Sequence, residues 1–194
     1  MPLTPPETLK ESQRLAAGGQ RDAPALMATI VVRDEAPADA AAVRDVVTRA
    51  FEQPAEAKIV DALRAAGKAD VALVAECDGR VVGHVLFSPV TLAGAPAASG
   101  LAPLAVAPEL QRRGVGTALV RAGLARCRAA GHAFVVVLGS PAYYGRFGFV
   151  PADRYRLACE YDVPPGVFQV IELAPDALVG CSGLVRYAPE LAIV

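Results

Sequence analysis

The feature that most constrains this sequence is a pair of glycines placed between an expected strand and the longest expected helix. The strand is Leu101–Val106, and the helix covers about Gly114 to Ala130. The turn between them contains the segment Gln111–Gly116, which has the sequence Gln-Arg-Arg-Gly-Val-Gly. A strand followed by a glycine-containing turn and a helix is an arrangement that often binds phosphate groups.

Two properties of this turn are unfavourable for an isolated helix. Gly114 and Gly116 each cost about 1 kcal/mol relative to alanine if they lie inside the helix. Arg112 and Arg113 place two positive charges near the helix N-terminus, where the macrodipole is already positive. A bound anion accounts for both, because glycines let a phosphate approach the unpaired N–H groups of the first turn. The alternative is a glycine-rich turn with solvated arginines, and the order of strand, arginines and helix favours the anion site.

The rest of the pattern predicts a mixed α/β chain in which strands outnumber helices. Asp78-Gly79 between two apolar runs predicts a β-hairpin. Ala133–Leu138 is a continuous apolar run, which is typical of a strand buried on both faces. The other expected strands are Met27–Arg33, Val71–Glu76, Val81–Ser88, Tyr155–Glu160 and Val167–Leu173, and the other expected helices are Pro37–Phe51 and Ala55–Ala66.

The length of 194 residues favours one domain. Residues 1–27 contain several prolines, a Gly-Gly pair and few large apolar side chains. We therefore expect a poorly structured N-terminal extension over residues 1–27 and a single domain over residues 28–194.

Charge and cysteine usage exclude several classes of partner. A formal net charge of −1 lacks the broad positive field that non-specific nucleic-acid binding requires. The four cysteines form no CxxC pair and only two histidines are present, so no zinc-site spacing occurs. We expect no metal, free thiols in a reducing compartment, no membrane-spanning or signal segment, and a cytoplasmic location.

Two motifs together indicate a family. A Walker loop requires Gly-Lys-Ser/Thr, which is absent, and the third glycine of a dinucleotide fingerprint is missing. Gln111, Gly114 and Gly116 instead match the Gln/Arg-x-x-Gly-x-Gly/Ala signature of the GNAT superfamily of N-acetyltransferases. The segment Tyr143–Phe149 is similar to the Tyr-x-x-x-Gly-Phe segment of that family. Together with the tail Gly180–Tyr187, it resembles the YhbS-like bacterial subgroup.

This resemblance covers the chain from about Thr29 onward and implies a fold and an activity. The implied fold is a central mixed, mostly antiparallel sheet, splayed at a cofactor groove, with helices on both faces. The implied activity is transfer of an acetyl group from acetyl-CoA directly to an amine in a ternary complex, without a covalent intermediate. The implied acceptor is a small-molecule or peptide amine, and analogy with the family leaves a homodimer open.

The resemblance also assigns the cofactor contacts. The pyrophosphate is assigned to the backbone N–H groups of residues 112–116 and to the Thr117 hydroxyl, and the pantetheine arm is assigned to the strand before them. Pro103 suits a bulge or an open edge on that strand, because proline cannot donate to a sheet ladder. The residues assigned to the cofactor are Leu104, Ala105, Val106, Gln111, Arg112, Arg113, Gly114, Val115, Gly116 and Thr117.

A proton donor is needed for the leaving thiolate. A tyrosine, with an ordinary pKa of about 10, is able to protonate sulfur as negative charge develops on it. By its position in the motif, Tyr144 matches the general acid of the family, and Tyr143 is the weaker candidate. The alternative is that both tyrosines only pack beside the neighbouring phenylalanines.

The base and the acceptor site are less defined by the sequence. Leu101–Val106 contains no acidic residue, so the base is unassigned. Glu76 and His84 are candidates for it, acting directly or through water, although His84 is better explained as a buried structural histidine. Ser140 is a candidate for a polar contact only. In this fold the first two helices shape the acceptor pocket, here around Phe51 to Lys58. Glu52 and Glu56 are one turn apart and would attract a cationic amine, although such a pair is more often solvated.

Two other functions compete with the enzyme. One is a non-catalytic acyl-CoA-binding or sensing module, supported by the missing carboxylate on the strand before the turn. The other, weaker one is a protein for a different phosphate ligand.

Overall fold

The computed structural model describes residues 29–192. Its centre is a seven-stranded sheet in the order β1-β2-β3-β4-β5-β8-β6. Every neighbouring pair is antiparallel except β4 and β5, which are parallel. These strands are β1 (Ile30–Asp34), β2 (Val71–Cys77), β3 (Arg80–Val90), β4 (Ala98–Val106), β5 (Phe134–Leu138), β6 (Val150–Pro151) and β8 (Phe168–Glu172).

Helices cover both faces of the sheet. They are α1 (Ala40–Phe51), α2 (Ala55–Ala65), α3 (Val115–Ala129) and the short α4 (Pro141–Tyr144). On one face, Val74 and Leu86 pack in the same apolar cluster as the buried side chains of α1 and α2. On the other face, Leu73 and Phe87 pack with those of α3. The mixed, mostly antiparallel sheet with helices on both faces is confirmed.

Local sequence signals explain the element boundaries. The buried residues of α1 recur at helical spacing from Val43 to Phe51. Helix α2 is followed by Gly67, whose φ of +67° suits a left-handed position after a helix end. Asp78 and Gly79 both have positive φ, as the two-residue turn of a hairpin requires, and they join β2 to β3 as predicted.

The sheet separates between β4 and β5. These strands pair only from Ala98–Phe134 to Leu101–Val137, and β4 then continues to Val106 beside β3 alone. Leu86 lies opposite two residues of β4, Ala102 and Pro103, so the register shifts by one residue there. The expected bulge at Pro103 and the expected splay are both present.

Three expectations about the elements need correction. The predicted strand Tyr155–Glu160 is broken, because Ala152–Tyr155 is a 3-10 turn and Arg156 has a φ of +56°. Only Leu157–Cys159 is extended, as β7, and it pairs in parallel with an unpredicted strand, β9 (Gly183–Val185). Helix α3 begins at Val115, because Gly114 has a φ of +89° and lies outside it.

The N-terminal boundary is only partly observed. Within the described residues the first strand begins at Ile30, and Met27 and Ala28 of the predicted strand lie outside them. The predicted extension over residues 1–27 lies outside the described residues, so the division into an extension and a domain over residues 28–194 stays a prediction.

We predict that Gly123→Ala destabilises the fold. Alanine in a helix interior is normally favoured over glycine by about 1 kcal/mol. Here a Cβ atom would lie 2.5 Å from Cζ of Phe87, so overpacking reverses the sign, with an expected loss of about 1–3 kcal/mol in chemical denaturation. Phe87→Leu in the Gly123→Ala background should recover part of that loss. A more stable Gly123→Ala variant would contradict this account of α3 packing.

Candidate active site

A cavity of about 620 Å³ lies where β4 and β5 separate. Its lining includes residues that pack on the α3 face and residues that pack on the α1/α2 face, so it passes through the gap in the sheet. We call one side the loop end, lined by Gln111, Arg112, Gly114, Gly116, Thr117, Tyr143 and Arg146. The other side is the helical end, lined by Ala50, Phe51, Glu56, Ile59, Tyr161, Tyr187 and Leu191.

The loop end exposes unpaired amides at the start of α3. The first backbone hydrogen bond of this helix runs from the Ala118 N–H to the Gly114 carbonyl, at 2.9 Å. Among the described residues, no acceptor is found for the N–H groups of Val115, Gly116 and Thr117 that precede it. A Cβ atom on Gly114 would meet no atom within 4 Å, so the entrance to these amides is open. This arrangement is suited to an anion.

The space beside Gly116 is limited by the protein itself. A Cβ atom at this position would lie 2.7 Å from the hydroxyl oxygen of Tyr143. Burial raises the pKa of Tyr143, while the positive charge of Arg146 and a hydrogen bond with Thr117 oppose that rise. The Tyr143 hydroxyl therefore lies directly at the mouth of α3.

Positive charge at the loop end comes from Arg112 and Arg146. The guanidinium of Arg146 lies 4.4 Å from the centre of the Tyr143 ring, and its Nε donates to the Tyr143 carbonyl at 3.1 Å. Arg113, which the family resemblance assigned to the cofactor, is exposed and does not line the cavity. Arg146 was not assigned to the site from the sequence, although its position inside the segment Tyr143–Phe149 was a signal that it lies near the cofactor.

The open edge of β4 presents main-chain groups to the cavity. The Ala107 N–H donates to Val82 on β3, so by strand alternation Ala105 also directs its main chain to β3. The main-chain groups of Leu104 and Val106 then point away from β3, and both residues line the cavity. Ala105 is buried and does not line it.

Gln111 connects the turn to this strand. Its side-chain Nε2 donates to the Val106 carbonyl at 3.1 Å. The side chain of Val115, in contrast, is buried in the apolar layer beneath α3. Of the residues assigned to the cofactor from the sequence, the structure brings seven together at the cavity: Leu104, Val106, Gln111, Arg112, Gly114, Gly116 and Thr117.

Tyr144 lines the cavity at the gap in the sheet. It is 7% exposed, and its ring lies against Gly139, where a Cβ atom would collide with it. Tyr143 and Phe149 meet this ring edge-on, with centroids at 5.0 and 5.6 Å. Burial, and then the neighbouring Tyr143, raise the pKa of Tyr144, so the phenol stays protonated at neutral pH.

Among residues 29–192, apolar and aromatic side chains and one carboxylate line the helical end. Glu56 lies in the first turn of α2, is 2% exposed, and accepts a hydrogen bond from Gln53 at 3.4 Å. Glu52 does not share its helix face, because it follows α1 with a φ of 57° and is exposed. The expectation that Glu52 and Glu56 are neighbours one turn apart on a helix, whether to attract an amine or to be solvated, is therefore wrong.

The C-terminal segment forms the other wall of the helical end. Tyr187 is 7% exposed, its ring lies over Gly100, and its hydroxyl has no hydrogen-bond partner among the described residues. An ion pair at 2.7 Å between Lys68 and Glu190 ties the following 3-10 turn (Pro189–Ala192) to the end of α2. Tyr187 was not identified from the sequence, because nothing in the local pattern links residue 187 to the gap.

The polar candidates for a base occupy different places. His84 is fully buried and bonds the Glu35 carboxylate at 2.9 Å, and the same carboxylate pairs with Arg64. Glu76 pairs with Arg33 on β1. Neither His84 nor Glu76 lines the cavity, whereas Ser140, just before α4, does.

Comparisons with known proteins agree with this geometry. Residues 31–152 match the family model described as an acetyltransferase (GNAT) domain. The chain is 43% identical to the uncharacterised N-acetyltransferase YhbS of Escherichia coli strain K12, over 81% of this chain and 96% of that protein.

Solved structures give the same result. The crystal structure of E. coli YhbS in complex with CoA is similar with a TM-score of 0.81 and 40% identity, covering 89% of this chain and 96% of that one. A GNAT family acetyltransferase from Brucella melitensis in complex with acetyl-CoA has a TM-score of 0.70 and 39% identity, covering 84% and 97%.

The fold and the matches define an acyltransferase that depends on acetyl-CoA. The chain belongs to the GNAT family of N-acetyltransferases. Within residues 29–192 there is no cluster of three or more metal-ligating side chains. No helix in the same range is long and apolar enough to cross a bilayer.

We predict that Glu35→Gln lowers stability without changing the chemistry. Hydrogen bonds to charged groups are worth about 1.5–3 kcal/mol, so losing those to Arg64 and His84 should cost about 2 kcal/mol. Burial raises the pKa of Glu35, but His84 and Arg64 outweigh it and hold the pKa below 4.5. The wild type should therefore lose this stabilisation as pH falls below about 4.5, and the variant should not.

Urea denaturation at several pH values measures this difference. Because Glu35 and His84 lie outside the cavity lining, turnover per folded molecule should be unchanged. A large fall in kcat with unchanged stability would instead indicate that Glu35 and His84 take part in the reaction.

Proposed function

We propose that this protein transfers an acetyl group from acetyl-CoA directly to an amine while both substrates are bound. The observation that carries the proposal is the cavity through the sheet, which has open amides at one end and an apolar pocket with one carboxylate at the other. Two substrates that enter from opposite faces meet at the gap between β4 and β5. Acetyl-CoA is used inside cells, so we propose a cytoplasmic reaction.

The loop end is proposed to hold the pyrophosphate of acetyl-CoA. The amides of Val115, Gly116 and Thr117 supply directed donors, and the helix dipole adds positive potential. Arg112 and Arg146 add two full charges beside them. No ion pair joins either arginine to a carboxylate among the described residues, so both charges are available to an anion.

The pantetheine arm is proposed to lie along β4. It carries amide groups, which need partners once they leave water. The main-chain groups of Leu104 and the N–H of Val106 face the gap instead of β3, so they offer those partners as a strand edge does. Gln111, by bonding the Val106 carbonyl, positions the turn relative to this edge.

The reaction requires a proton balance. An acceptor ammonium loses one proton to become a nucleophile, and its nitrogen then forms a bond to the thioester carbonyl carbon. The carbon–sulfur bond breaks, and the sulfur receives the proton of the Tyr144 hydroxyl. The product nitrogen then gives up its second proton, and this proton restores the Tyr144 hydroxyl. One proton remains on the amide nitrogen, one ends on the thiol, and one is released.

Direct transfer is favoured by what surrounds the cavity. An acyl-enzyme requires a Cys or Ser nucleophile with a neighbouring base. Ser140 lines the cavity, but His84 and His132 do not, and none of the four cysteines does. Attack by the acceptor amine itself needs no such pair.

A non-catalytic acyl-CoA-binding module is the second candidate. The observation that favours it is the absence of a carboxylate from Leu101–Val106, where some members of the family carry their base. Acetyl-CoA binding without turnover of any amine would support this second function.

We predict that Gly116→Ala weakens acetyl-CoA binding at least about tenfold, which is about 1.4 kcal/mol. The added methyl group points at the Tyr143 hydroxyl, so Tyr143→Phe and the double variant serve as controls. In the Tyr143→Phe background the methyl group no longer meets that oxygen but still covers the amides. Calorimetry should therefore show the same tenfold loss in this background. Recovery of full affinity in the double variant would mean that Gly116 only accommodates Tyr143.

We predict that Tyr144→Phe lowers kcat about 100-fold, the usual scale for loss of a general acid. The ring contacts remain, and no protein hydrogen bond to this hydroxyl is found among the described residues, so thermal stability and acetyl-CoA affinity should be preserved. Tyr143→Phe, which removes the hydroxyl near Gly116, should retain most of kcat. Equal kcat in Tyr144→Phe and wild type would show that Tyr144 is not the proton donor.

A further inference from the structure

The cavity is electrically asymmetric. Its loop end carries two cations, Arg112 and Arg146, and among the described lining residues its helical end carries only one carboxyl group, that of Glu56. A polyanionic cofactor is attracted to the first end and repelled from the second. If the chain is the acetyltransferase proposed above, the helical end is left to the acceptor.

The helical end offers little besides apolar surface around that carboxylate. Phe51, Ile59 and Leu191 line it together with the rings of Tyr161 and Tyr187, whose centroids are 5.7 Å apart. Aromatic faces attract cations as well as apolar groups. This surface therefore fits the hydrocarbon part of an acceptor whose amine reaches toward the gap.

Tyr187 provides an independent indication that a ligand binds here. Its hydroxyl is buried, and no hydrogen-bond partner is found for it among the described residues. Leaving such a donor unpaired costs about 1–3 kcal/mol, so buried hydroxyls are normally satisfied. Tyr187 and Tyr144 line the same cavity, and their rings lie against Gly100 of β4 and Gly139 at the end of β5, on the two sides of the gap. The unpaired hydroxyl is therefore close to the proposed reaction centre.

We propose that the acceptor is a small primary amine with a single positive charge and an apolar body, and that Glu56 binds its ammonium group. A cation bound beside a buried carboxyl group favours its ionised form, and the attraction between the two charges is stronger there than at an exposed site. The described lining of the helical end holds no cation to pair with a substrate carboxylate, so free amino acids are disfavoured. It holds no second acid to pair with another ammonium, so polyamines are disfavoured too.

Binding to the CoA-loaded protein tests this proposal without requiring turnover. Calorimetry measures the binding of 2-phenylethylamine, 2-phenylethanol, L-phenylalanine and spermidine. The first three compounds have nearly the same shape but differ in charge, and spermidine carries additional ammonium groups. We expect 2-phenylethylamine to bind at least tenfold more tightly than each of the other three. Glu56→Gln should remove that preference for the amine over the alcohol and leave the binding of 2-phenylethanol unchanged.

The matched control is Glu52→Gln, which removes the same charge from an exposed position outside the cavity. This variant should bind 2-phenylethylamine as the wild type does. Equal binding of L-phenylalanine or spermidine, or an unchanged preference in Glu56→Gln, would overturn the proposal. If Glu56→Gln fails to fold, the comparison of the four ligands on the wild type still tests the proposed acceptor class.

Acetyl transfer with the same compounds separates this inference from the proposed function. Selective binding of 2-phenylethylamine with no acetylation would contradict the enzymatic function but keep the cation site. Efficient acetylation of L-phenylalanine, spermidine or a lysine peptide in place of 2-phenylethylamine would keep the enzyme and overturn the acceptor class.

Discussion

The separation of β4 from β5 is the constraint on which the site depends. Two parallel strands pair over only four residues each, and the bulge at Pro103 then directs the end of β4 away from its neighbour. Without that separation, the main chain of Leu104 and Val106 would be used within the sheet. The apolar layers on the two faces would also be sealed from each other. Because of the gap, one cavity reaches the apolar layers on both faces of the sheet, and Tyr144 and Tyr187 both line it.

The start of α3 shows how one residue answers two requirements. Gly116 leaves room for the Tyr143 hydroxyl, and its own N–H is one of the unpaired amides of the first turn that we propose to hold the anion. Gly114 has a different task, since its positive φ ends the turn and lets α3 begin at Val115. The two glycines look equivalent in the motif, but only the structure separates a conformational role from a steric one.

Much of the fold could be predicted because its signals are local. Asp78-Gly79 specifies its hairpin through backbone conformation, and the apolar run of β5 specifies a buried strand. The failures are at places where tertiary context decides. Arg156 adopts a positive φ that nothing in its sequence requires, and it shortens the expected strand. Glu56 is buried because α2 turns it into the cavity, while the pattern alone favoured solvent.

The ion pair between Lys68 and Glu190 joins residues that are far apart in the chain, and it closes the helical end with the 3-10 turn Pro189–Ala192. The helical end, where we propose that the acceptor binds, is thus lined by α1, α2, Tyr161 and the C-terminal segment, none of which contributes to the loop end. Substitutions in these three segments can reshape one substrate's pocket while the other substrate's contacts stay fixed. A lineage that keeps its coenzyme can in this way exchange its acceptor, and the closing turn at Pro189–Ala192 is a place where such divergence is expected to accumulate.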